Sequence, residues 1–337
     1  MTRISKEQHP DFIWTWKSNA RGARSSIWFP YVSEIQKVKK GGWIVSYNGG
    51  ELIIDLGKID FIMFYGASGS IPLEFLDELS KNNVVFMIHR RNMIKPYMFF
   101  PATVGDQVDV LSSQIMYRNN QIKKTYIARL LIKERFNKME EHYCISSTVY
   151  YELSKCRTVQ KIRNIEAATT KLFWDKWFSK LNNSMHRRTD NPISAALDAG
   201  SKFIYGILLR WILFHKLSPC HAYLHEPTDY PSLVYDLIEP YRYMIEQAVF
   251  SCYIADNKAD EKTLVAKSLE MLKSILDETI YVPASRQYVK RKNLLHGIVL
   301  ALRSYLLGES KRFVIPVEGD KKGGRPPKIA YRLPGER

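Results

Sequence analysis

Near Val108 the texture of this chain changes, and the change restricts it to folds built in two parts. Before that point, short β-rich runs alternate with turn residues. Ser26-Ile-Trp-Phe-Pro, Trp43-Ile-Val-Ser-Tyr, Glu51-Leu-Ile-Ile-Asp and Asp60-Phe-Ile-Met-Phe-Tyr are set apart by Gly41-Gly42 and Asn48-Gly49-Gly50. Ile71-Pro72 through Leu79 predicts one short helix, and the runs from Val84 and from Tyr97 predict closing strands. After that point, strand signals fade. Leu111, Ile115, Ile122, Tyr126, Leu130 and Ile132 recur among Lys and Arg as on an amphipathic helix running to Met139. Further helices are expected near 146–180, 191–216, 231–252, 261–277 and 285–308. No internal repeat is present. The expected class is α+β: an N-terminal β-rich domain over 1–105, then a larger all-helical domain over 106–310. From Lys311 to Arg337 the chain is rich in Gly, Pro and charge, with eight basic and three acidic residues, and reads as a flexible basic tail.

Charge narrows the function classes. The 337 residues carry 50 Lys+Arg against 34 Asp+Glu, a net charge of +16, while 45% hydrophobic residues assure a globular core. Such an excess points to a polyanion, nucleic acid before an acidic membrane surface. The four cysteines form no C-x-x-C pair, which excludes zinc-ribbon spacing. Neither a secretory signal nor an apolar run of about 18 residues occurs, so a reducing cytoplasm with free thiols is expected. G-x-S-x-G, Walker and Rossmann patterns are missing, which argues against esterases, nucleotide hydrolases and dinucleotide enzymes.

The segment from His225 to Arg242, HEPTDYPSLVYDLIEPYR, carries the chemistry. His225 precedes Asp236 by eleven residues and Glu239 by fourteen, and the two acids share a helix face by their i,i+3 spacing. Asp229-Tyr-Pro-Ser reads as a helix start with a capping Asp. One imidazole and two carboxylates suit Mg2+ or Mn2+. Glu166, in IRNIEAATTKLFWDKWF, adds a carboxylate among apolar neighbours Ile165, Ala167, Ala168, Leu172 and Phe173. A half-buried carboxylate there needs a partner or it protonates. Pairing of Glu239 with Arg242, its i,i+3 neighbour, is the competing reading. His215 reads as a core residue, and His89 and His186 as nucleic-acid backbone contacts.

At this point AYLHEPTDYPSLVYDLIEPYR resembles the CRISPR-associated spacer-acquisition integrase family, the first of the CRISPR adaptation proteins. The likeness lies in His225, Ser232-Leu233, Asp236-Leu237-Ile238-Glu239 and Tyr241-Arg242. It extends to IRNIEAATTKLFWDKWF, to NPISAALDAGSKFIYGILL and to LLHGIVLALRSYLLGE. One departure is Cys220-His221-Ala222-Tyr223, where the family has a Gly before the His loop. The resemblance implies metal ligation by Glu166, His225 and Glu239, with Asp236 as an adjoining acid in the catalytic group. It implies insertion of DNA fragments into a repeat array by transesterification, and endonuclease activity when water replaces the attacking hydroxyl. It further implies double-stranded DNA as partner (incoming fragment and repeat array), a homodimer formed through the β domain, and a small second adaptation protein.

Lys161, Arg163, Arg187, Arg188 and Arg242, with the cluster Lys290, Arg291 and Lys292, are the expected DNA contacts. Trp14, Trp16 and Tyr288 are candidates for stacking on bases. Rival readings are a non-catalytic DNA-binding scaffold, a structure-specific nuclease, and a transposon-type integrase of the same superfamily.

Overall fold

Nine consecutive residues of mostly apolar character, Ile59–Ala67, form a strand that is buried over most of its length. This is the pattern of a central parallel strand covered on both faces. The computed structural model describes residues 24–38, 41–48, 50–89, 96–101, 109–140, 144–181, 191–321 and 328–335. The N-terminal part opens with β1 (Ser25–Val32), β2 (Glu34–Lys37), β3 (Trp43–Tyr47) and β4 (Gly50–Ile54). It continues through β5 (Ile59–Ala67), α1 (Leu73–Lys81), β6 (Val85–His89) and β7 (Tyr97–Phe99). Strands β2, β3 and β4 form an antiparallel meander. Strands β1, β5 and β6 run parallel, and β7 pairs antiparallel on β6. Gly42, at φ 97°, turns β2 into β3 where an added Cβ would come 2.9 Å from the carbonyl of Ile54. Edge-to-face rings fill the core: Phe64 on Phe86 at 4.8 Å and Trp43 on Phe75 at 5.0 Å. His89 is buried on β6 against Tyr65, so the expected nucleic-acid contact there is not supported.

The helical part is cut more finely than its periodicity predicts. Asn120 separates α2 (Val110–Asn119) from α3 (Gln121–Met139), because its side chain accepts from the amides of Ile122 and Lys123 as an N-cap. Thr158 likewise starts α5 (Val159–Lys180) afresh after α4 (Ser147–Lys155). Helix α6 spans Pro192–Phe214, capped by Asn191. Helix α7 (Ser232–Ile238) begins at Pro231 without a side-chain cap, not at the expected Asp229. It passes through a 3₁₀ turn at Glu239–Tyr241 into α8 (Arg242–Ala255). After α9 (Glu261–Asp277) comes a hairpin, β8 (Thr279–Val282) and β9 (Gln287–Lys290), where the sequence predicts helix from 285. The β-branched and aromatic residues Thr279, Ile280, Tyr281 and Val282 explain it, in a run too short for periodicity to resolve. Helix α10 covers Asn293–Leu306. None of the helices among the described residues is long and apolar enough to cross a membrane.

Beyond α10 the described residues do not form a loose tail. Phe313, Ile315, Tyr331 and Leu333 are buried. Gln287 exchanges two hydrogen bonds with the backbone of Leu333, and Tyr331 donates to the carbonyl of Val314. Glu318 accepts from Tyr243 (2.8 Å), from Lys138 (3.2 Å) and from two nitrogens of Arg291 (2.9 and 2.8 Å). The Gly/Pro-rich composition concealed these few apolar and charged anchors.

By internal contacts the chain divides into two compact units, Met1–Gly105 with Lys202–Arg210, and Asp106–Ser201 with Trp211–Arg337. The middle of α6 thus groups with the β-rich unit, although the sequence places all of 191–216 with the helices. Gly206 is the reason locally: Phe61 lies against it, and a Cβ there would stand 1.9 Å from the Phe61 ring. Phe203 packs on the same ring at 6.0 Å, and Arg210 stands 4.0 Å from Asp60. Gly206→Ala is therefore expected to destabilise the protein by about 1–3 kcal/mol through overpacking. Combining it with Phe61→Leu should recover part of the loss. A denaturation double-mutant cycle checks this, and additive losses would remove the proposed contact.

Candidate active site

The stretch Leu217–Pro231, between α6 and α7, contains neither helix nor strand, yet its backbone is held from the C-terminal side by one residue. Asp236, on α7 and fully buried, accepts from the amides of Tyr223 (2.7 Å) and Leu224 (2.8 Å) through Oδ2. Its Oδ1 accepts from the amide of His225 (3.0 Å) and faces the His225 Nδ1 at 2.8 Å. Four donors satisfy the carboxylate, and this lets a charge sit in the interior. The ring of His225 is thereby oriented: Nδ1 carries the proton toward Asp236, and Nε2 is left to another partner. Burial favours neutral His225, but the hydrogen bond to Asp236 and the charges of Asp236 and Glu239 raise its pKa overall.

Glu239 sits in the 3₁₀ turn and is buried. Its Oε1 accepts from Nε of Arg242 at 2.7 Å, and its Oε2 lies 3.5 Å from Nε of Arg135. Burial pushes its pKa up, but Arg242, Arg135 and His225 hold it below the ordinary carboxylate range. Arg135 also pairs with buried Glu246 on α8 at 2.7 Å and lies over the ring of Phe173 on α5. One buried guanidinium thus ties α3 to the 3₁₀ turn, α8 and α5. Sequence reasoning passed over Arg135, though the signal existed: it follows Leu131 by four residues and Ile132 by three, on the apolar stripe of α3.

Glu166 projects from the middle of α5, half-buried, and accepts from the Thr170 hydroxyl at 3.2 Å. Burial first, and then the charge of Glu239, raise its pKa, with Arg135, His225 and Thr170 opposing. Glu166, His225 and Glu239 therefore act electrostatically on one another. Ala167, Ala168 and Leu172 are exposed, so the apolar surroundings inferred for Glu166 are only partly real.

Two carboxylates and an imidazole have the donor chemistry for an oxygen-preferring divalent ion. The proton affinity of Glu166 is raised by burial and then by the charge of Glu239, and a cation would offset both. Glu239, however, is occupied by its two arginines, and among the described residues no three His, Cys or acidic side chains stand grouped to hold an ion. Asp236, with its oxygens committed to the loop, orients His225 and does not offer a lone pair.

The basic candidates separate into kinds. Lys161 and Arg163 are exposed on α5, and the charge of Arg163 reaches Tyr230 in the His225 loop. Arg242 is bound to Glu239. Lys290 and Lys292 both face Asp277, at 3.8 and 3.3 Å, while Arg291 is held by Glu278 and Glu318. Arg187, Arg188, His186, Trp14 and Trp16 lie outside the described residues. Tyr288 is 60% exposed on β9, beside Tyr281. His215 is half-buried, its Nε2 2.7 Å from that of His296.

Asp236→Ala would strand three backbone amides and one imidazole. With about 1–3 kcal/mol for each buried donor left unpaired, and some regained through water, a loss of about 3–5 kcal/mol is expected. Chemical denaturation checks it; a loss below about 1 kcal/mol would show that the loop does not depend on this carboxylate.

The chain matches the family described as CRISPR associated protein Cas1 over residues 33–274. It is 23% identical over 181 residues to a CRISPR-associated endonuclease Cas1 of Moorella thermoacetica, covering 47% of this chain and 55% of that protein. The chain thus spans about half the length of the curated relatives it matches. Its fold is similar to that of a casposase bound to integration product, with TM-score 0.71, 18% identity, and 85% of this chain and 91% of the other covered. It is also similar to the TtCas1-DNA complex, with TM-score 0.56, 13% identity, and 93% and 99% covered. The β-rich part followed by helices, together with a match over most of the sequence, means that this chain belongs to the Cas1 family.

Proposed function

We propose that this chain is a metal-dependent DNA integrase of CRISPR adaptation, with endonuclease activity from the same site. The observation that carries the reading is the His225–Asp236 pair. A histidine giving Nδ1 to a buried carboxylate, with the charge of Glu239 also acting on it, is suited to present Nε2 to a cation. Family membership supports CRISPR adaptation, and the excess of Lys and Arg supports a DNA partner.

The reaction is a phosphoryl transfer. The 3′-hydroxyl of an incoming fragment loses its proton and attacks a phosphodiester of the repeat. A new P–O bond forms, the old P–O3′ bond breaks, and the displaced 3′-oxygen takes up a proton. With water as nucleophile the same exchange is hydrolysis. Glu166 and His225 would hold Mg2+ or Mn2+, joined by Glu239 once it turns from Arg135 and Arg242. Such an ion lowers the pKa of the attacking hydroxyl and offsets charge on the phosphate oxygens. Asp236 keeps His225 in one orientation throughout, and exposed Lys161 and Arg163 on α5 are available to phosphates. Two fragment ends require two such sites, which a homodimer supplies. A small second adaptation protein is the further partner we propose, and the cytoplasm the compartment.

A non-catalytic DNA-binding scaffold is the reading that the two arginines on Glu239 favour. A half-site integration assay with labelled DNA, with and without chelator, separates the two. Glu166→Ala and His225→Ala are expected to reduce strand transfer to background at parental DNA affinity, and Asp236→Asn to lower it about 10–100-fold. Parental integration by either alanine variant, or integration indifferent to chelator, would remove that residue or the ion from the mechanism. DNA affinity should fall steeply with salt; a flat salt dependence would argue against phosphate contacts as the source of binding.

A further inference from the structure

Asp236 accounts for the amides of the His225 loop but not for its carbonyls. The carbonyls are met from the opposite side by α2. Gln114, fully buried, donates from Nε2 to the carbonyls of Ser218 (2.9 Å) and His221 (2.8 Å), and its Oε1 accepts from the amide of Ser218 (2.8 Å). One turn later on the same helix face, Arg118 donates from Nε to the carbonyl of Ala222 at 3.2 Å and from Nη2 to that of Glu226 at 2.6 Å. Lys124 pairs with the Glu226 carboxylate at 2.6 Å.

The order of these contacts along the chain is informative. Arg118 takes the carbonyls at 222 and 226, and Asp236 takes the amides at 223, 224 and 225. His225 lies inside that interval. A guanidinium offers two donors at a fixed separation, so it sets the distance between the two carbonyls as well as satisfying them. Asp236 fixes how the imidazole is turned; Arg118 fixes where the peptide bearing it is placed. Neither Arg118 nor Gln114 is directed at the imidazole itself.

We propose that Arg118, backed by Gln114, is a positioning residue for His225, and that its work is done through backbone carbonyls alone. The inference rests on the reading of His225 as the central residue of a DNA-processing site. It deepens that reading by adding a residue some hundred positions earlier in the chain.

The test uses the full chain with Arg118→Met, which keeps the stem and removes the donors, and Arg118→Lys, which retains one donor nitrogen in place of two held apart. Three readouts are taken: the His225 Nδ1 proton resonance in protein labelled with 15N-histidine, assigned by its loss in His225→Gln; kcat and KM for Mn2+-supported DNA cleavage; and thermal unfolding. For Arg118→Met, kcat is expected to fall about 10–100-fold, the range for residues that orient a ligand, with little change in KM or in the unfolding midpoint. The His225 resonance should move or broaden. Arg118→Lys should recover part of kcat and sharpen the resonance. Unchanged kcat and resonance in Arg118→Met would overturn the proposal. So would equal losses in both variants that follow the unfolding midpoint, since that is the behaviour of a general scaffold residue. If Arg118→Met does not fold, Arg118→Lys decides: a parental kcat with a parental resonance overturns the proposal, and an intermediate value of each supports it. If the parent protein cleaves no DNA, the functional reading fails, while the resonance still decides whether Arg118 places His225.

Discussion

A carboxylate with no exposed surface holds this site together. Asp236 lies inside the helical unit and gathers three backbone amides and an imidazole nitrogen. A buried charge is tolerated only where its lone pairs are filled, so its burial and the shape of the loop depend on each other. Tyr223, Leu224 and His225 cannot turn away without exposing amides to an apolar interior, and Asp236 cannot stay charged without them. This reciprocity explains how a stretch with no regular secondary structure presents one imidazole in one orientation.

A second buried network, built from arginine, lies where α7 passes into α8. Arg135 bridges Glu239 and Glu246, and Arg242 closes on Glu239 from the next turn. Buried ion pairs return little net stability over apolar packing, but they are costly to break singly, which makes them good fixers of geometry. Here they fix the 3₁₀ turn that links α7 to α8. They also hold Glu239 charged, while burial and the charge of Glu239 raise the proton affinity of Glu166. That imbalance is what the proposed cation would offset, and it makes release of Glu239 part of the activity proposed.

Much of this was legible along the chain, and the parts that were not share a cause. The change near Val108, the β-rich runs before it and the helices after it followed from periodicity, because burial of one face repeats at the period of the element. His225, Asp236, Glu239 and Glu166 were found by residue type and spacing. The breaks at Asn120 and Thr158 were missed because a single side-chain cap interrupts an apolar stripe without altering it. The hairpin of β8 and β9 was missed because four-residue strands are shorter than the window in which a period declares itself. The segment after α10 was misjudged because Gly and Pro outweighed Phe313, Tyr331 and Leu333, whose burial depends on surfaces elsewhere in the chain.

By itself the sequence determined the class of fold, the basic character suited to a polyanion, and the residue types of the site, since these depend on composition and local spacing. Tertiary structure decided the roles. It turned Asp236 from a candidate ligand into the support of a loop, and bound Glu239 to Arg135 and Arg242. It engaged Lys290, Arg291 and Lys292 with acids of their own chain, and brought Gln114 and Arg118 to the carbonyls around His225. The reason is that a side chain's chemistry is local, whereas the partner that neutralises, orients or frees it is chosen by contacts between residues distant in sequence.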